Sequence, residues 1–135
     1  MSLTAKHGNT PTRVWLTAKG TLDFRHYKTG VLTFTAPPKT MITKIVFDGG
    51  DLSGLTTLTD NAWTGKASVV DIPAADGAST IKINTITISL KNTYTITKNA
   101  NSEQGYIEGV SSAAYLDQVT LTATPNYGYH FTQWS

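Results

Sequence analysis

Apolar residues recur at every second position in short runs through most of the chain, the pattern of strands that bury one face. The first run is Val14-Trp15-Leu16; Leu22 and Phe24 then alternate within residues 21–27, and Leu32, Phe34 and Ala36 within residues 31–36. Lys28-Thr29-Gly30 between the last two predicts a hairpin turn. Pro37-Pro38 cannot donate ladder hydrogen bonds and closes that strand; Met41 to Phe47 forms the next, ended by the loop Asp48-Gly49-Gly50-Asp51. The pattern weakens from Leu52 to Thr64 and resumes at Val69 to Ile72, which Pro73 and Ala74-Ala75-Asp76-Gly77 terminate. From Ile81 to Leu90 the phase slips: Ile81 and Ile83 share one face, Ile86, Ile88 and Leu90 the other, which predicts a bulge at Asn84-Thr85.

So many short strands by residue 47 are too dense for an α/β chain, and nothing requires a helix. Strands joined by Gly, Pro and Asp turns predict an all-β fold, a β-sandwich of immunoglobulin-like or jelly-roll-like type over residues 13–91. Residues 1–12 show no pattern and read as a leader, partly introduced by cloning. Lys91-Asn92 is the expected boundary, because a new alternating strand opens at Tyr94-Thr95-Ile96. Beyond it come a glycine-punctuated stretch, a strand from Val119 to Ala123 and an aromatic close from Tyr127 to Trp134.

Composition narrows the class. Of 135 residues, 39% are hydrophobic, 15% are charged and roughly one in six is threonine, which favours strands and excludes disorder as the main state. The longest apolar runs are a few residues, too short for a transmembrane helix, and the opening residues lack a signal-peptide pattern. The net charge is +2, divided as +4 over residues 1–91 and −2 over residues 92–135. The basic residues are scattered singly, so nucleic acid is not an expected partner. With no cysteine there is no disulfide, thiol nucleophile or cysteine-held zinc, and the compartment stays open.

The run Val119-Thr-Leu-Thr-Ala-Thr-Pro125, then Gly128-Tyr-His-Phe131 and Trp134-Ser135, resembles the divergent internalin B-repeat modules of bacterial surface proteins. Tyr94-Thr-Ile-Thr-Lys98 is similar to their opening strand, whereas Leu116-Asp117-Gln118 departs from their usual Gly-Asp or Gly-Glu turn. The resemblance implies a partial β-grasp-like repeat over residues 92–135, incomplete at Ser135. It also implies an exposed strand edge, with self-association through residues 119–135, or local disorder there, as the consequence. Tyr129, Phe131 and Trp134 are expected to form the core of this small unit, with a binding platform as the alternative. Leu32-Thr-Phe-Thr-Ala-Pro37 leading into Ile42-Thr-Lys-Ile-Val-Phe47 has a vaguer likeness to sandwich modules of large bacterial surface proteins, shared by Trp63-x-Gly65 and Ile83-x-x-Ile86-x-Ile88. Together these imply an exported, multidomain parent at the cell surface.

Catalytic chemistry is thinly represented. His7 lies in the leader, His26 in a strand where it is expected to face solvent, and His130 between two aromatics; no spacing suits zinc. Most aspartates sit where turns favour them. Asp48 and Asp51 are weak calcium candidates without EF-hand spacing, and Asp48-Gly49-Gly50 lacks the residues of a phosphate loop. Trp63, Tyr27 and Trp15 are the candidates for stacking on a sugar, with Trp15 more readily read as core between Val14 and Leu16. The expected function is therefore a non-catalytic module of an exported surface protein, a spacer or adhesion segment without a cofactor, whose partner is a protein or a glycan. The rival is a carbohydrate-binding module using an exposed aromatic of the sandwich.

Overall fold

The computed structural model describes residues 1–8, 10–16 and 22–135, with the backbone alone at Trp15, Leu16, Leu22 and Asp23. Its strands are β1 (Ser2–Lys6), β2 (Arg13–Leu16), β3 (Leu22–His26), β4 (Val31–Thr35), β5 (Thr40–Asp48), β6 (Ala62–Ala67), β7 (Val69–Pro73), β8 (Ile81–Ile83), β9 (Thr85–Thr95), β10 (Gly105–Gly109), β11 (Ser112–Ala114) and β12 (Leu121–Pro125). Among the described residues there is no helix, and the chain divides into two units, Met1–Lys91 and Asn92–Ser135. Thr21, expected to open the second strand, lies outside the described residues.

The first unit is built from the sheets β1-β4-β7, β9-β5-β6 and β2-β3-β8. Alternation decides which faces turn inward. Leu32 and Phe34 of β4 stand opposite Ile72 and Val70 of β7, and all four are buried. From β5 come Ile42, Ile45 and Phe47, from β8 Ile81 and Ile83, and Leu52, Leu55 and Ala74 close the cluster from the loops. Phe34 and Phe47 meet edge to face, with ring centroids 5.9 Å apart and planes at 75°. Sheets facing each other across such a core form the all-β sandwich arrangement.

Four local expectations are corrected. Within the expected leader, residues 2–6 are part of the fold: β1 pairs with β4 from Ser2↔Thr35 to Lys6↔Val31, since Leu3 and Ala5 supply a short alternating strand despite lying exposed. Lys28-Thr29-Gly30 is a turn but not a hairpin, because β3 and β4 belong to different sheets; Thr29 takes φ 61° and the Gly30 carbonyl accepts from Ala74 N–H. The phase slip at Asn84-Thr85 is a change of sheet rather than a bulge: β8 pairs with β3, β9 lies beside β5, and Asn84 N–H is taken by the Asp48 carbonyl at 2.8 Å. The irregularity lies instead in β5, between Ile42 and Lys44, and lets Ile42 and Ile45 both face the core. No new strand opens at Tyr94; β9 runs unbroken from Thr85 to Thr95.

In the second unit the end of β9 pairs with β11, Thr93 opposite Ala114, and β10 pairs with β12 from Gly105↔Pro125 to Gly109↔Leu121. Ala114 is its buried hydrophobic residue among those described, and the expected aromatic core is absent: Tyr129, Phe131 and Trp134 are 50%, 45% and 51% exposed. Pairs of strands without a facing layer cannot enclose large rings, so Phe131 and Trp134 lean on each other at 5.0 Å. Because burial is concentrated in the first unit, Phe34→Ala is expected to cost its unfolding transition about 3–5 kcal/mol in urea denaturation. Tyr127→Ala, at a fully exposed position, should change it by under about 0.5 kcal/mol. Equal effects would contradict this distribution.

Candidate functional site

Trp63 owes its position to the turn before it. Asp60 and Asn61 adopt φ 50° and 59°, and Thr59 and Ala62 exchange two hydrogen bonds of 2.9 Å across them. A two-residue turn with both residues left-handed matches strand twist and starts β6 directly. Trp63 then lies opposite the buried Ile45, half-buried against the core. Its indole lies along the strand over Gly65, where a Cβ would come within 2.7 Å of Cζ2, so glycine is what lets the ring lie flat.

Tyr27 follows β3 and is also half-buried. Its hydroxyl accepts from Arg13 Nε at 3.2 Å, and the Arg13 guanidinium lies 5.7 Å from the ring centroid, so a cation already occupies one face. Trp15 stands opposite Asp23 in the β2–β3 pairing, and its side chain lies outside what is described. The sugar-stacking candidates are thus spread over two sheets, β2-β3-β8 and the edge strand β6.

The acidic loop is a structural clasp. Asp51 Oδ1 accepts from the Ser53 hydroxyl at 2.7 Å and the Ser53 amide at 3.2 Å, and Oδ2 from Ser79 at 3.4 Å. The Ser53 hydroxyl first, then its amide, hold the Asp51 carboxyl below its ordinary value against an opposing effect of burial, with lesser help from Ser79 and Lys82. The Asp51 carbonyl also takes Lys82 N–H at 2.9 Å, tying the loop to β8. Asp48 is exposed, and among the described residues no three or more metal-ligating side chains gather.

His26 overturns its expected exposure: it is fully buried, with Nδ1 hydrogen bonded to Thr12 Oγ1 at 2.8 Å. Neighbouring polar residues disguised an inward position at the end of β3. Nε2 finds no partner of hydrogen-bond geometry among the described residues. The ring edge lies so near Gly30 that a Cβ there would meet Nε2 at 2.8 Å. Burial pushes the His26 pKa down, and the adjacent Gly30 backbone opposes that shift.

The second unit holds a groove of about 470 Å³ that the sequence did not reveal. It is lined by residues 97–101, 104–107, 121, 123–125 and 130–135, with Tyr106, Phe131 and Trp134 as its aromatic surfaces. Its charged lining residue is Lys98, whose Nζ donates to the Gly109 carbonyl at 2.8 Å; amides and hydroxyls supply most of the rest. Reading the aromatics as core concealed this groove, although Asn99, Asn101 and Gln104 gave a polar signal beside them. The succession of the β9 end, β10, a Leu-x-Ala-x-Pro strand β12 and the Gly-Tyr-x-Phe-x-x-Trp close is now explicit in three dimensions.

Residues 94–135 match the divergent InlB B-repeat domain. The repeat accordingly covers the last third of the chain, including β10, β12 and the groove. This family is a module of bacterial surface proteins. No curated protein and no solved structure matches the chain.

The histidine gives a signed expectation. A neutral-preferring buried imidazole has a folded pKa below its unfolded value, so its contribution is complete above the unfolded value near 6.5 and is lost as pH falls towards the folded one. The melting temperature should therefore drop more steeply between neutral and mildly acidic pH in the wild type than in His26→Gln. Parallel pH profiles would contradict the assignment.

Proposed function

We propose that this chain is a non-catalytic module of an exported bacterial surface protein, acting at the cell surface as a structural spacer or adhesion segment. The observation that carries the reading is the match of residues 94–135 to a repeat of such proteins. Side-chain chemistry elsewhere supports it, because the polar groups best placed for reaction serve the fold. Asp51 organises its loop through Ser53, Asp71 takes the Thr33 hydroxyl across β4 and β7 at 2.6 Å, and Lys98 holds a backbone carbonyl.

The rival reading, carbohydrate binding by the sandwich, draws less support. Trp63 turns its indole along Gly65 and towards the core, and Tyr27 has a guanidinium on its ring. A sugar needs an open aromatic face, which neither offers in full.

Antibodies raised against this chain should label intact cells of the bacterium that makes the parent protein, and external protease should remove the label. Labelling only after permeabilisation would contradict surface display. On a glycan array the chain and its Trp63→Ala variant should both fail to bind. Specific binding that a folded Trp63→Ala variant loses would replace the spacer reading with the carbohydrate one.

A further inference from the structure

We propose that the outer edge of β12 pairs antiparallel with the same edge of a second copy of this chain, centred on Ala123. The pairing of β10 with β12 forms a sheet of two strands, so one edge of β12 has no strand beside it among the described residues. Two-stranded sheets are marginal in water, and an open edge is a template for another chain.

What distinguishes β12 is the lack of any charge within it; its one blocking residue is Pro125, at the end of the strand, which has no N–H to offer on the outer edge. Other outer strands of the described sheets carry a charge within the strand: Lys6 in β1, Lys66 in β6, Asp71 in β7, Arg13 in β2, Lys82 in β8 and Glu108 in β10. The uncharged β11 has only three residues. Residues 119–124, by contrast, read Val-Thr-Leu-Thr-Ala-Thr, with Pro125 only at the end of the strand.

The sequence is also complementary to itself in this register. Centring on Ala123 sets Thr122 against Thr124 of the copy and Leu121 against Pro125, so hydroxyl rows meet on one face and apolar residues on the other, without opposed like charges. Val119, 39% exposed, extends the apolar row. The groove beside β12 adds the half-exposed Tyr106, Phe131 and Trp134. Those three rings contribute roughly 300 Å² of coverable surface, from about 150–250 Å² for each whole aromatic side chain. A standard interface needs about 800 Å² per partner, so the pairing is weak and reversible rather than obligate.

Sedimentation velocity from low micromolar to near-millimolar chain tests this. The wild type should shift reversibly from monomer to dimer. The double variant Thr122→Lys/Thr124→Lys, which sets lysine against lysine in the symmetric register, should remain a monomer while keeping its circular dichroism and melting temperature. Glu103→Lys, which alters charge away from β12, should still dimerise. A wild type that stays monomeric, including one whose groove instead takes a small ligand, would overturn the proposal, as would a double variant that dimerises like the wild type. Should the double variant unfold, hydrogen exchange on the wild type decides: amides 119–124 gain protection at high concentration if the edge pairs, and gain none if it does not.

Discussion

The edge-to-face contact of Phe34 with Phe47 sits at the junction on which the first unit depends. Each ring belongs to an inward row, Phe34 with Leu32 on β4 and Phe47 with Ile45 on β5, and the rows can be buried together only if their sheets face each other. That demand fixes the connections. The chain must change sheets at residues 27–30, where Thr29 accepts a left-handed conformation, and again at Asn84, whose amide the Asp48 carbonyl receives. The loop from Asp48 to Leu55 closes the cluster with Leu52 and Leu55 and is clasped by Asp51, while Trp63 covers its flank from an edge strand.

The same rule explains the second unit by contrast. Its strands form two antiparallel pairs, and large apolar side chains from Tyr94 to Trp134 remain accessible. Since burial of apolar area is the main favourable contribution to folding, most of the chain's stability resides before Asn92. The polar side chains of Asp51, Asp71 and Lys98 are engaged in holding loops and strands.

Alternation made the inward rows of β4 and β7 legible directly, because one face is dry and the other wet along each strand, whereas in β5 the irregularity between Ile42 and Lys44 breaks the alternation. The motif of the last third was equally legible from its spacing. Three other features were hidden for physical reasons. A change of sheet at Asn84 and a bulge give the same break in period, so the sequence could not separate them. His26 sits among polar neighbours and is buried by a turn that brings Gly30 against it, a contact with no local sequence signal. Tyr129, Phe131 and Trp134 have core composition, but whether rings are enclosed depends on a facing layer rather than on their own spacing.

Hydrogen exchange followed by mass spectrometry on the dilute chain tests the central claim most directly, which is that two units of one chain differ sharply in burial. Local opening tracks burial of apolar contacts and of backbone hydrogen bonds. Peptides spanning β4, β5 and β7 should exchange only through the global unfolding of the first unit, whereas peptides from 99–135 should exchange orders of magnitude faster. Comparable slow exchange in both regions would contradict the account.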